Sequence, residues 1–196
     1  LEVVGSQQVG TGTVESTDPL TVEIESTRPA DSPHYRLTLC QAISRKSKFD
    51  DIVRNLSDLG VTDIVPVVSS RTVRRPNQPE KQRDRWRRIV LDSTRISDRD
   101  WLTEIHPVMD WDEAIEFCQG KGEVYWGDPD GEKPLSRFQT SSQQAVIAIG
   151  PEGGFEPEEK QDLHSLGTPV SLGSDNYRSG TASMMLSTLW LHCCQG

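Results

Sequence analysis

Apolar and polar residues alternate along this chain with two different periods, and the change of period falls near residue 36. Before it, Val9 to Val14 is punctuated by glycines, and Leu20-Thr-Val-Glu-Ile24 alternates residue by residue, the period of a strand with one buried face. Asp18 and Pro19 supply a turn between the two. Two strands cannot bury a core of their own. Residues 1–36 are therefore expected to be part of a small β domain whose beginning is missing, as the start at Leu1 also suggests. Arg28-Pro-Ala-Asp-Ser-Pro33 reads as a linker.

Beyond Leu37, short apolar runs alternate with segments of helical period, the pattern of an α/β layered fold. Leu37 to Ile43 predicts a strand. A helix is predicted from Ser47, as N-cap, to Leu59, with Phe49, Ile52, Val53, Leu56 and Leu59 on one face and Gly60 at the C-cap position. Val61 to Val68 predicts a buried strand, which Pro66 places at an edge or a strand end. Pro79 to Ile96 predicts a helix with Trp86, Ile89, Val90, Ser93 and Ile96 as its inner stripe. Asp110 is expected to cap a short helix, and Glu123 to Trp126, Ala145 to Ile149 and Val170 to Leu172 to be strands. A helix from about Glu156 to Leu166 has Pro157 in its first turn and Gly167 after its end. A last helix spans Thr181 to Cys194, capped by Ser179 or Thr181.

The 196 residues suffice for one good-sized domain, or one domain plus a fragment. No apolar stretch approaches the roughly 20 residues of a membrane helix, since Met184 to Cys194 is interrupted by Ser187, Thr188 and His192. Nothing at the start resembles a signal peptide, and a cytoplasmic protein with no membrane partner is expected. Cys40, Cys118, Cys193 and Cys194 lack metal-ligand spacing and are expected to be reduced, small hydrophobes. His34, His106, His164 and His192 lie far apart in sequence, and no metal site is expected. The tryptophans are expected in the core or an interface.

The net charge of −9 argues against a nucleic-acid partner in sum, but its distribution changes the picture. From Arg71 to Arg88 the chain sets Arg71, Arg74, Arg75, Lys81, Arg83, Arg85, Arg87 and Arg88 against only Glu80 and Asp84. Such an arm is either a solvated face or a local phosphate contact.

Two corners carry the candidate chemistry. In Ile147-Ala-Ile-Gly-Pro-Glu-Gly-Gly-Phe155 a buried strand runs into a glycine-rich loop, and a helix with acidic residues in its first turn follows. Glycines let backbone N–H groups approach a ligand with no Cβ in the way, and ligands of open α/β sheets sit beyond the carboxyl ends of strands. The spacing is neither that of a P-loop nor that of a dinucleotide fingerprint, so a small-molecule site and a tight structural turn both fit. In Pro169-Val-Ser-Leu-Gly-Ser-Asp-Asn-Tyr-Arg-Ser-Gly-Thr-Ala182 another short strand ends in glycine, and a polar loop with one arginine leads into a helix. The positive end of that helix suits an anionic or electron-rich group. Two such corners in succession can form two walls of one pocket.

These stretches carry a family resemblance. Leu59-Gly60-Val61 with Ile64-Val-Pro-Val67, Arg71, Trp86-Arg-Arg-Ile89, Glu104-Ile-His-Pro107, Gly150-Pro-Glu-Gly-Gly154, Leu172-Gly173, Arg178 and Thr181-Ala182 follow one another as landmarks. Over residues 37–195 the chain resembles the RsmE family of the SPOUT methyltransferase superfamily, bacterial enzymes that methylate N3 of a uridine in 16S ribosomal RNA. Residues 1–36 resemble the latter part of the PUA-like RNA-binding domain that precedes the methyltransferase domain in that family. The resemblance implies an α/β SPOUT sheet in residues 37–196 with a deep trefoil knot in about 145–196, and a homodimer whose active site lies at the subunit interface. It implies S-adenosylmethionine held by Ile149, Gly150, Pro151, Glu152, Gly153, Gly154, Ser171, Leu172, Gly173, Tyr177, Arg178, Thr181 and Ala182. Arg178 is the catalytic candidate, stabilising the base anion, and Arg71, Arg74, Arg75 and Arg83 are the candidate contacts to small-subunit ribosomal RNA.

The chain also departs from that pattern. Where the family reads Arg-Thr-Glu-Thr-Ala, this chain reads Arg178-Ser-Gly-Thr-Ala182, with Gly180 in place of the carboxylate. Arg54 and Asn55 replace a Gln-Lys pair, Asp58 a glutamate, and Arg95-Ile-Ser-Asp-Arg99 a Glu-Gln-small-Gly-Arg segment. These changes admit a second reading, an RNA- or cofactor-binding SPOUT dimer with weakened or lost catalysis.

Overall fold

The computed structural model describes residues 1–4, 8–44, 46–73, 75–97, 99–133, 138, 142–173 and 175–195. Its first part is a three-stranded antiparallel sheet among the described residues, β1 (Glu2–Val4), β2 (Gln8–Thr17) and β3 (Leu20–Pro29), with β2 in the middle. The turn at Asp18-Pro19 joins β2 to β3, as the sequence predicts. The sheet buries little: Val9 is covered, while Val14, Leu20 and Ile24 are 42%, 68% and 46% exposed. β3 extends to Pro29, so the connecting segment starts later than the expected linker at Arg28. Arg28 instead reaches the second part of the chain, where Asp100 accepts hydrogen bonds from its guanidinium and, at 2.9 Å, from the Asp31 N–H.

The second part is a parallel sheet. Its strands are β4 (Arg36–Ala42), β5 (Asp63–Val68), β6 (Glu104–Ile105), β7 (Met109–Asp110), β8 (Glu123–Glu132), β9 (Gln144–Ile149) and β10 (Gly167–Val170). Their order is β10-β8-β9-β4-β5-β6, with β7 also on β5, and each pairing among the described residues is parallel. Both faces are covered, which is why the central strands read as unbroken apolar runs. Along β9, Ala145, Ile147 and Ile149 join one core, and Val146 and Ala148 join the other, the two-residue period of a pleated strand. The first core packs under α1 (Lys46–Leu59), α2 (Pro79–Ser97) and α5 (Ser179–Gln195), around Phe49, Leu56, Trp86 and Trp190. The second lies under α3 (Trp111–Cys118) and α4 (Pro157–Leu166), around Val65, Trp126 and Leu163. Trp86, Trp126 and Trp190 are thus core residues, as expected.

Several boundaries differ from expectation. Pro66 is on an interior strand. β6 pairs with Asp63 and Ile64, β7 with Val67 and Val68, and Pro66 falls in the gap between these short partners. α1 begins at Lys46, so Ser47 lies inside it and does not cap it. In α2, Trp86, Val90, Ser93 and Thr94 are buried but Ile96 is 85% exposed. At 3.6 residues per turn Ile96 lies roughly 80° around the helix from Trp86, off the buried stripe. β10 ends at Val170, leaving Ser171 and Leu172 to the following loop. α5 starts at Ser179, which places Thr181 in its first turn. Asp110 does cap α3, its N–H donating to Glu113 Oε2 at 2.9 Å. Arg99 donates to the Ser57 and Asp58 carbonyls in the last turn of α1, a cation at the negative end of a helix. No helix among the described residues is long and apolar enough to cross a membrane.

Candidate functional site

Since the strands of the large sheet run in one direction, the segments that follow them emerge along one edge. In spatial order these are residues 171–173 and 175–178 after β10, 150–156 after β9, Ile43 and Ser44 after β4, and residues 69–73 and 75–78 after β5. The two glycine corners therefore open on the same edge. Ile149 and Pro151 are buried, while Glu152, Gly153 and Gly154 are exposed. Phe155 turns back into the second core, its ring 5.5 Å from that of Trp111, and anchors the loop. The Gly154 N–H closes the turn on the Pro151 carbonyl at 2.8 Å. Gly154 has φ +71° and Gly173 φ +117°, and a Cβ built on either meets no atom within 4 Å. Both positions demand glycine for their backbone conformation, and both leave open space beside an unshielded backbone.

Neighbouring loops hold the first corner from the side. Arg71 donates to Glu156 from Nε at 2.7 Å and from Nη2 at 3.0 Å, and its Nη1 donates to the Gly153 carbonyl. This bidentate contact holds the Glu156 carboxyl below its ordinary range. Glu159, 3% exposed, accepts the Ser70 N–H at 2.7 Å and the Glu156 N–H at 2.8 Å. Lys48 of α1 reaches Glu152 at 3.2 Å. In the second corner, Ser171 Oγ accepts the Gly173 N–H at 3.2 Å and donates to the Pro129 carbonyl at 2.9 Å. Leu172 and Ala182 pack against the first core. Tyr177, Arg178 and Thr181 are exposed, and the Arg178 side chain makes no hydrogen bond or ion pair among the described residues. Gly180 faces α1 so closely that an added Cβ would stand 2.9 Å from Ile52 Cγ1.

The basic arm is not a row of unopposed charges. Arg71 is engaged at the glycine loop, Arg75 faces Asp110 at 3.1 Å, and Arg83 donates to the Ile105 carbonyl at 2.9 Å. Arg74 lies outside the described residues. Arg85 pairs at 2.7 Å with buried Asp50, which also accepts the Trp86 Nε1 hydrogen bond at 3.1 Å. Sequence reasoning missed Asp50, and it missed two further clusters. Cys40 and Cys118 bring their Sγ atoms to 3.3 Å inside the second core. Asp63, Glu104 and His106 have ligand-type atoms within 4.8 Å of one another. In that cluster Asp63 binds His106 at 3.0 Å and Arg36 at 3.2 Å, and the guanidinium already supplies the positive charge. Burial would raise the Asp63 carboxyl, but its hydrogen bonds with His106, Thr62 and Arg36 outweigh burial and hold it low. This cluster sits at the start of β5, the opposite end of that strand from the glycine corners.

Residues 30–191 match the protein family described as RNA methyltransferase domain. The Ribosomal RNA small subunit methyltransferase E of Synechocystis is 30% identical over 156 residues, which are 74% of this chain and 50% of that protein. The chain thus spans about half the length of this relative. The proteins of the same name from Mesomycoplasma hyopneumoniae and Aquifex aeolicus are 29% and 28% identical, over 84% and 91% of this chain and 73% and 78% of theirs. Among solved structures, a Ribosomal RNA small subunit methyltransferase E from Neisseria gonorrhoeae, bound to S-adenosyl methionine, superposes with TM-score 0.82 at 24% identity. That match covers 96% of this chain and 81% of the other. A Legionella pneumophila methyltransferase solved with bound SAM gives TM-score 0.87 at 23% identity, covering 98% and 82%. Both share this chain's fold.

Proposed function

Because the chain belongs to the RNA methyltransferase domain family, we propose that it methylates N3 of a uridine in small-subunit ribosomal RNA, using S-adenosylmethionine. In this reading it works in the cytoplasm as a homodimer, with residues 1–36 as part of a PUA-like domain and a trefoil knot in about residues 145–196. The observation that carries the reading is the pair of glycine corners on one edge of a parallel sheet. Their left-handed backbones at Gly154 and Gly173 leave open space where any side chain would project.

When bound, S-adenosylmethionine supplies a methyl group made electrophilic by its sulfonium. Ile149 to Gly154 form one wall of its site, and Ser171 to Gly173 with Tyr177, Thr181 and Ala182 the other. Arg71 and Glu159 hold the first wall in place, so its backbone is oriented before binding. Uridine N3 must give up its proton, to solvent water, before it attacks, which leaves negative charge on the base; the methyl–sulfur bond would break as the N3–methyl bond forms, leaving a neutral thioether. Arg178, exposed beside the second wall, is the group that stabilises this charge.

Calorimetry with S-adenosylmethionine, followed by labelled-methyl incorporation into small-subunit RNA, tests the proposal. Binding and turnover are expected, with turnover lost in Arg178→Ala by a larger factor than cofactor affinity. Absence of cofactor binding would overturn the reading. One observation favours a second reading, a cofactor- and RNA-binding protein with weakened catalysis. The family pattern that the chain resembles has a carboxylate where Gly180 stands, which can fix the arginine, and misplacing a reacting group by about 1 Å can cost on the order of a hundredfold in rate. Cofactor binding without methyl transfer selects that alternative.

A further inference from the structure

The two faces of the large sheet differ in charge. Helices α3 and α4, over the second core, carry six carboxylates against Lys160 alone. Helix α2, over the first core, carries six cations against Glu80, Asp84 and Asp92. These cations fall into two groups. Arg83 donates to the Ile105 carbonyl, Arg85 pairs with Asp50, and Arg87 faces Asp84 at 3.7 Å. Lys81, Arg88 and Arg95 are exposed, and they make no hydrogen bond, ion pair or ring contact among the described residues. Asp92 lies four residues after Arg88 and three before Arg95, the spacings at which helical ion pairs form, yet it pairs with neither.

Seven residues are close to two helical turns, so Lys81, Arg88 and Arg95 stand in one row that drifts only about 20° per step. At a rise of about 1.5 Å per residue the row is about 21 Å long. It lies on the side of α2 turned away from buried Trp86, Val90 and Ser93. Between its members the same face shows Asp84, Leu91 and Asp92, and no aromatic side chain. Single-strand sites stack bases on aromatic platforms. A row of cations without them suits phosphate alone, which is what a double-helical RNA presents outward. The β5–α2 loop that leads to Lys81 carries Arg71, which binds the Gly153 carbonyl and Glu156. Beyond Arg95, β6 returns to the start of β5. The row therefore begins at the sheet edge of the glycine corners and runs away from it along α2.

We propose that this row docks the phosphate backbone of a double-helical RNA segment beside the modified nucleotide, with Lys81, Arg88 and Arg95 each meeting one phosphate. The assignment rests on the reading of the chain as an RNA-modifying protein, and it adds the surface that holds the substrate. The acidic helices on the other face repel the same RNA, so charge alone selects the side of the sheet on which it lies. Each phosphate neutralised releases a counterion and contributes about 0.7–0.9 to the slope of log affinity against log salt.

The test is fluorescence anisotropy of a fluorescein-labelled RNA hairpin with a double-helical stem, titrated with the full chain at several potassium chloride concentrations. Lys81→Ala, Arg88→Ala and Arg95→Ala should each weaken binding about fivefold at about 0.1 M salt, and the triple variant should lower the slope by roughly 2–3. Arg88→Lys with Arg95→Lys keeps both charges and should keep the slope. Asp84→Asn with Asp92→Asn removes the carboxylates of the same face and should tighten binding. Melting temperature and S-adenosylmethionine affinity should hold at wild-type values throughout, because all these side chains are exposed. A slope that the triple variant leaves unchanged overturns the proposal, as does a loss seen with a single-stranded oligouridylate but not with the hairpin. Methyl transfer by wild type together with that unchanged slope would leave the methyltransferase reading standing. Hairpin binding that depends on the row, in a protein that takes no S-adenosylmethionine, would uphold the row and remove that reading.

Discussion

Asp50→Ala isolates the contact that sets the start of α2 against α1. The Asp50 carboxylate is 7% exposed, accepts the Trp86 Nε1 hydrogen bond at 3.1 Å, and pairs with Arg85 at 2.7 Å. Trp86 is 1% exposed and packs against Phe49 with ring centroids 4.5 Å apart, so its N–H loses its protein partner once the carboxylate is gone. Leaving that donor unpaired costs about 1–3 kcal/mol. The Arg85 side chain is 54% exposed, and losing its pairing adds only about 0–1 kcal/mol. Removing a buried charge returns part of the sum, which leaves a net loss of about 1–3 kcal/mol, or roughly 0.5–1 M in the urea midpoint at an unchanged slope. Trp86→Phe in the Asp50→Ala background removes the orphaned donor, so the double variant should lose less than the two single changes together, with a coupling of about 1–2 kcal/mol. Asp50→Asn keeps an acceptor for the indole and should fall between wild type and Asp50→Ala. Urea unfolding of the four-member cycle reads the coupling. Losses that add to within about 0.5 kcal/mol would refute the account, because the hydrogen bond would then contribute nothing specific.

Three further outcomes are expected. Gly154→Val forces a branched residue to φ +71°, costs about 1–2 kcal/mol, and should abolish S-adenosylmethionine binding in calorimetry; an unchanged isotherm would remove this loop from the site. Asp100 is held down to about 2, first by its hydrogen bond with Arg28 and then by the Asp31 N–H. Its contribution to docking the N-terminal sheet is thus complete above about pH 4, the ordinary carboxylate range, and is lost as pH falls through about 2. An NMR titration of the Asp100 carboxyl should show the low midpoint, and Arg28→Ala should return it toward 4. Finally, Arg74, Arg75 and Arg83 changed together to Ala should reduce the salt dependence of RNA affinity by a slope of roughly 2, if each meets one phosphate of a single strand. An unchanged slope would assign the arm to internal pairing, as its contacts with Asp110 and the Ile105 carbonyl already allow.

The fold was legible where one element carries its own signal. Ala145 to Ile149 and Leu37 to Ile43 read as buried strands because a parallel sheet covered on both faces leaves no polar position. The capping residue of α3 and the glycine that ends α1, with φ +86°, are local solutions to the open hydrogen bonds of a helix end. Two-residue strands such as β6 and β7 have no periodicity to read, so the sequence could not show that β5 is partnered on both sides except at the local gap where Pro66 lies. Ile96 was misplaced for a related reason. An apolar residue near a stripe is indistinguishable in sequence from one within it until the partner surface is known.

The site divides the same way, and the division explains what a single chain can reveal about chemistry. The glycine corners were visible because their requirement is local: Gly154 and Gly173 occupy backbone conformations that few other residues tolerate. Contacts that orient those corners join residues far apart in sequence. Arg71 and Glu156 are 85 positions apart and Ser70 and Glu159 89, and no spacing rule links them. Arg71 was singled out as one of a basic run, yet its guanidinium serves the loop rather than standing open to RNA. Gly180 shows the limit most clearly. Its departure from the family pattern is plain in sequence and suggests only a missing carboxylate. In the fold the same position presses on Ile52, so any side chain there must first displace α1 or the end of that isoleucine. A carboxylate introduced at Gly180 would therefore strain the start of α5, directly after Arg178, unless the Ile52 side chain facing it were also shortened.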